Sequence, residues 1–108
     1  MVFPVIYVPF LPAAGMALFP FILVKKREYK WSRTLIYHEK IHLRQQLELL
    51  ILPFYFIYVL HYLINLIKYQ DHNKAYMNIV FEREAYAMES VPDYIFKRKI
   101  RAWSGFFN

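Results

Sequence analysis

The chain contains no cysteine among its 108 residues, which excludes disulfides and thiolate ligands and leaves any metal to histidine and carboxylate. Glycine is scarce, with 2 residues, and charged residues make up only 20% against 58% hydrophobic and 20% aromatic. Few polar faces remain to meet water, so a membrane or a large partner surface is expected. Acidic residues are outnumbered, and most of the resulting net charge of +6 falls in two clusters, Lys25 to Arg33 and Lys97 to Arg101, beside aromatic residues. Anionic lipid headgroups attract such segments. Nucleic acid is excluded as a partner: no motif for it is present, and the rest of the chain is more apolar than such a binder needs. Internal repeats and low-complexity tracts are also lacking, so residues 1–108 form one domain.

The apolar run from Val2 to Val24 lacks the basic n-region of a signal peptide. Prolines 4, 9, 12 and 20 disfavour a continuous helix there, so the run is read as retained and mostly non-helical, with residues 1–15 an irregular apolar segment. Residues 16–92 are expected to hold the functional core and 93–108 a basic aromatic tail. Met16 to Lys26 is short, β-favouring and aromatic, and predicts one strand, at a sheet edge because of Pro20. Ser32 is a natural N-cap for a helix from about Arg33. Residues 47–67 carry only Glu48, His61 and Asn65 as polar members and match the roughly 20 residues of a bilayer crossing. Gln70 to Asn73 form a polar break, after which a further helix is expected from about Lys74 to Glu89, ending before Val91-Pro92.

His38-Glu39-Lys40-Ile41-His42 places two imidazoles four residues apart, so on a helix they leave from one face and can bind one metal ion, with Glu39 pointing beside it. A zinc ion held by neutral histidines and an acidic ligand keeps one position for water and lowers its pKa to about 7. Glu39 is then the catalytic base that takes the water's proton and passes it to a leaving amine. Random order of the four histidines and six glutamates gives this pattern roughly once in a hundred such chains. A surface helix bearing these residues by coincidence therefore stays open on the motif alone. Its context is more specific, since the motif follows an expected edge strand and a glutamate-bearing helix comes about 40 residues later.

With that context, ALFPFILVKK, LIYHEKIHLRQQ and FEREAYAME together resemble a small gluzincin-type metallopeptidase, a zincin whose third ligand is glutamate. The likeness covers about residues 16 to 89. It implies a mainly α fold with zincin-like helices and one short edge strand, peptide-bond hydrolysis, zinc as cofactor, and a peptide or protein substrate. It further implies Glu82 as third ligand, on the first glutamate of an ExxA pattern closed by Ala85, with Glu84 as the alternative about 200° around the helix. Where such families often place an aspartate to hold a histidine's second nitrogen, this chain has Tyr86, whose hydroxyl accepts that bond less strongly. A tyrosine or histidine near the oxyanion is also implied, and ten tyrosines leave it unassigned. Gln46, one turn beyond His42, either bonds a ligand or lines the cleft, or is a solvated helix residue. His61 and His72 lack a partner at ligand spacing and read as a satisfied polar residue and a loop residue.

One straight helix over residues 34–67 would carry Ile67 about 37 Å from His42. The 15 residues on to Glu82 reach only about 22 Å as helix, so a straight span and ligation by Glu82 exclude each other. Pro53 supplies the bend, letting a helix from about Phe54 to Lys68 fold back. The sequence therefore predicts a membrane-associated α-helical domain that meets lipid through Leu49 to Leu66 and the tail, with a zinc cleft near the interface. A second reading makes it a non-catalytic small subunit of a larger membrane protein complex, with a structural or vestigial metal site.

Overall fold

The computed structural model describes residues 3–107; Met1, Val2 and Asn108, at the ends of the expected domain, lie outside the described residues. Three short strands come first: β1 (Val5–Tyr7), β2 (Gly15–Leu18) and β3 (Phe21–Val24). They form one sheet in the order β1-β3-β2, with β1 parallel and β2 antiparallel to β3. Two expectations are corrected here. The 16–26 segment is not a single strand but a hairpin, because Pro20 sits in the connection, where it has no ladder bond to lose. Residues 1–15, expected to be irregular, contain β1, which is held beside the hairpin by the Ile22 amide donating to the Pro4 carbonyl at 2.9 Å and the Val8 amide to Val24 at 2.8 Å.

A 3₁₀ turn, Arg27–Trp31, leads into α1 (Arg33–Glu48). Ser32 caps this helix as expected, its hydroxyl accepting from the Leu35 amide. Helix α2 (Leu52–Tyr69) then leaves α1 at 113°, so residues 47–67 are not one helix, and among the described residues no single helix is long and apolar enough to cross a membrane. The fold-back was expected at Pro53, yet the turn is complete before it. Leu50 and Ile51 take φ of 59° and 47°, a region that bulky side chains rarely adopt, and Pro53 lies in the first turn of α2, where its missing donor is harmless. The strained turn is held by the Ile51 amide donating to the Gln46 carbonyl at 2.7 Å.

The helix expected over 74–89 is two: α3 (His72–Met77), capped by the Asp71 carboxylate, and α4 (Val80–Met88). Between them the chain turns at Asn78 and Ile79, and His61 Nδ1 on α2 accepts from the Val80 amide at 3.0 Å. The ring thereby does the capping that Ile79 cannot do, which is the satisfied polar role expected of His61; burial lowers its pKa. His72 opens α3 and bonds the Tyr62 hydroxyl at 2.8 Å. Residues 93–107, the described part of the basic aromatic tail, are folded against the rest of the chain. They form α5 (Tyr94–Lys97) and a 3₁₀ turn, Ala102–Phe106, and bring Trp103 and Phe106 against α2 and α4.

Two apolar clusters result, one between the sheet and α1 around Ile22, Val24 and Leu43, the other around Phe54, Ile79, Val80 and Phe81. Phe81 is fully buried, with the Phe54 and Trp103 rings 4.6 and 5.2 Å from its own. Phe81→Ala is expected to cost about 3–5 kcal/mol, read as a lower denaturant midpoint at unchanged slope; an unmoved midpoint would remove this cluster from the stabilising core.

Candidate metal centre

Helices α1 and α4 pack against each other. The four-residue spacing on α1 brings the His38 and His42 rings to one face, with their Nε2 atoms 3.2 Å apart. From α4, Glu82 Oε1 lies 3.0 Å from each of them. All three residues are buried, and their ligand atoms form one group able to hold a metal ion.

The hydrogen bonds behind the rings decide where their lone pairs point. His42 Nδ1 lies 2.8 Å from Gln45 Oε1. The Gln45 amide cannot be reversed, because its nitrogen donates to the Phe81 carbonyl at 3.1 Å and to Glu84 Oε1 at 2.9 Å, both of them acceptors only. His42 Nδ1 must therefore be the donor. His38 Nδ1 likewise donates to Glu89 Oε1 at 3.0 Å. In the neutral rings both Nε2 lone pairs then converge on the carboxylate oxygen of Glu82, an arrangement that repels itself unless a cation lies among the three atoms. One proton can serve only one of these contacts; a metal ion serves all three. Four-coordinate zinc, about 2.0–2.1 Å from its ligands, sets neighbouring ligand atoms roughly 3.3 Å apart, close to the separations here.

The electrostatics favour a cation at the same point. Burial alone would lower the His42 pKa, but the charge and hydrogen bond of Glu82, aided by Glu39, lift it to about 9. For Glu82 burial is likewise the largest effect and opposes ionisation, yet the two imidazoles together outweigh it and hold the carboxyl well below its ordinary range. Its second oxygen accepts from the Tyr58 hydroxyl at 2.6 Å, leaving Oε1 to the histidines. Burial, then the neighbouring Glu82 charge, raise the Tyr58 pKa, so this phenol stays a neutral donor.

Glu39 projects beside the triad and lines two clefts that meet at Ala13, Gly15, Glu39 and Tyr76. One, about 490 Å³, is bordered by polar residues including Ser32, Thr34, Asn73 and Glu89. The other, about 280 Å³, is bordered mainly by apolar and aromatic residues, among them Met16, Phe54, Tyr55 and Val59. Burial raises the Glu39 pKa while the two histidines pull it down. Gly15 makes this packing possible: a Cβ there would lie 3.0 Å from Leu35 Cδ1 and 3.1 Å from Glu39 Oε2.

The structure thus brings His38, His42 and Glu82 together with Glu39 beside them, and it separates two other candidates, Glu84 and Tyr86, from the roles considered for them. Glu84 points away, fully buried against Arg98 and Tyr94. Tyr86 packs its ring on His38, centroids 4.4 Å apart, but its hydroxyl pairs with Tyr76 at 3.0 Å. Glu89, two turns beyond Glu82, holds the His38 nitrogen in its place. Gln46 is buried and lines the apolar cleft, the second of the roles expected of it; it hydrogen-bonds the Phe19 amide, the Ala17 carbonyl and the Tyr55 hydroxyl, not a ligand, and so ties α1 to the hairpin and to α2. The histidine-supporting glutamine is its neighbour, Gln45. Gln45, Glu89 and Tyr58 escaped the sequence reading; the three-residue step from His42 to Gln45 and the seven-residue step from Glu82 to Glu89 are the helical spacings that point to two of them. Comparison of the chain with protein families, curated proteins and solved structures finds no match.

Proposed function

We propose that the chain is a membrane-associated zinc metallopeptidase of gluzincin type, with His38, His42 and Glu82 as zinc ligands. The observation that carries this reading is the convergence of two Nε2 lone pairs and a carboxylate oxygen within 3.0–3.2 Å of one another, beside a buried fourth group, Glu39, that the triad does not use. Zinc bound there would acidify a water and polarise a carbonyl. With zinc in place, Glu39 would accept the water's proton and return it to the leaving amine, a task that suits a carboxyl whose pKa burial has raised. Tyr58 keeps Glu82 presenting a single oxygen, and Tyr76 lines both clefts, which supports it as the tyrosine that would meet an oxyanion. The test is metal analysis of the purified chain beside hydrolysis of a mixed peptide library. Stoichiometric zinc with cleavage supports the reading, and zinc-free protein from zinc-replete medium would sink it.

The membrane part of the proposal rests on α2. Its outer face exposes Leu52, Phe56, Val59, Leu63 and Ile67, with Phe56 at 70% and Ile67 at 79% of full exposure. These positions repeat every three or four residues, forming one continuous apolar stripe. The helix has no acidic residue and a single formal charge, Lys68, at its end; in the last segment Phe96 and Ile100 are exposed beside Lys97, Lys99 and Arg101. An apolar face with basic neighbours suits a helix lying in the plane of an anionic interface. Burial of one large apolar side chain contributes about 1.5–3 kcal/mol. Leu63→Glu with Ile67→Glu is therefore expected to weaken binding to phosphatidylserine-containing vesicles by roughly a hundredfold or more. If wild-type protein fails to co-float with such vesicles, the stripe belongs to a protein neighbour and the non-catalytic subunit becomes the better reading.

A further inference from the structure

Behind His42 lies a buried polar chain that reaches the last segment of the protein. Arg98, next after α5, has a fully buried guanidinium. Its Nε donates to Glu84 Oε2 at 2.7 Å and its Nη2 to Glu84 Oε1 at 2.9 Å. Nη1 donates to Glu48 Oε2 at 2.7 Å, so this one side chain clamps α4, which carries Glu82, to the end of α1, which carries both histidines. Tyr94 adds a donor to Glu84 at 2.8 Å. Glu84 passes the constraint on through Gln45 to His42 Nδ1.

We propose that Arg98 is a positioning residue of the metal centre: through Glu84 and Gln45 it fixes which nitrogen of His42 carries the proton, and so holds the Nε2 lone pair ready for the ion. The inference rests on the triad being a metal centre. Its physics is a matter of orientation. The Gln45 amide presents oxygen to His42 only while its nitrogen is better satisfied on the far side, and there the buried Glu84 carboxylate is the strong acceptor, a charged one. The Arg98 fork lies on both oxygens of that carboxylate and so keeps Oε1 facing the Gln45 amide. Without the guanidinium, a buried unpaired carboxylate is strongly disfavoured where it stands, and its side chain moves off the Gln45 amide. Gln45 is then held by the Phe81 carbonyl alone and can turn its nitrogen toward His42. His42 would present Nδ1 as acceptor and an Nε2 proton to the ion, which is the wrong tautomer for a ligand.

The test compares zinc affinity, by competition with a chromophoric chelator, and the His42 side-chain resonances in ¹H–¹⁵N spectra of the zinc-loaded protein. Gln45→Met is expected to weaken zinc about 10- to 100-fold, and Arg98→Met on the order of tenfold, the range for outer partners of metal-bound histidine. Both should move or abolish the His42 Nδ1–H signal. Ile22→Ala, in the sheet core away from the chain of bonds, lowers the melting temperature without these changes, which separates positioning from mere stability. Should Arg98→Met not fold, Glu84→Gln keeps the shape, removes the charge, and is expected to act in the same direction. Zinc affinity within twofold of wild type and an unshifted Nδ1–H signal in Arg98→Met or Glu84→Gln overturns the proposal alone. Failure of the wild-type chain to bind zinc overturns the metal-centre reading and this inference with it.

Discussion

Glu39→Gln is expected to leave zinc in place and to lower peptide hydrolysis by about 10²- to 10⁴-fold. Glu39 is not among the three converging ligand atoms, so the amide, equal in size and shape, leaves the donor set unaltered. What is lost is the ability to take a proton from water. Folding should not suffer, because burial already disfavours the charged form of this carboxyl, and the amide removes a charge that the fold solvates poorly. Zinc content, melting temperature and turnover measured on one preparation separate the roles. Undiminished hydrolysis by Glu39→Gln would take the base role from Glu39; loss of zinc along with activity would make Glu39 a ligand and the proposed triad wrong.

The parts of this site that a sequence displays are those set by local spacing. The 38–42 step follows from 100° per residue, as does the divergence of Glu82 from Glu84; the choice of Glu82 between them is what the resemblance implies, and it is Glu82 that lies with the two histidines. The Ser32 cap was equally legible because capping is local chemistry. The need for a sharp turn after α1 was also legible, from chain length once Glu82 is taken as a ligand, but its place was not. The turn uses positive φ at Leu50 and Ile51, and neither glycine nor proline marks these positions. They are held by tertiary bonds, among them the anchoring of Gln46 to the hairpin, and no local rule reports such bonds.

The supporting partners were misassigned for a related reason. Gln45 and Gln46 differ by 100° around α1, and which of them turns toward His42 depends on the contents of α4, namely Glu84 and the Phe81 carbonyl. Tyr86 stands one turn after Glu82, where the resemblance places a support for histidine, yet its hydroxyl is engaged by Tyr76 from α3. Glu89 reaches His38 from one turn farther on. Arg98 was read as one of a run of tail cations, because charge patterning cannot tell a solvated arginine from one clamped between two glutamates. The strands were under-read because their identity comes from pairing across up to 17 residues, as between Val5 and Ile22, and not from the three or four residues that form each strand.

Zinc at about a hundredfold excess over its dissociation constant is expected to stabilise the folded chain by about 2.7 kcal/mol, which raises the melting temperature by roughly 10–20 °C for a domain of this size. An ion held by His38, His42 and Glu82 would join α1 to α4, so unfolding would have to break the coordination. His42→Ala should abolish this shift and weaken zinc by more than about 100-fold, since loss of a ligand exceeds the loss of a ligand's support. Glu82→Gln should act in the same direction by a different route, replacing the one formal negative charge in the donor set with a neutral amide while Tyr58 keeps an oxygen to bond. His61 and His72 supply the control: His61 is engaged with the Val80 amide and His72 with Tyr62, so replacing His72 with alanine should leave the zinc-induced shift unchanged. If zinc instead raises the melting temperature of His42→Ala as much as that of the wild type, while His72→Ala removes the effect, the ion binds outside the α1–α4 junction and Glu39 has no metal to serve.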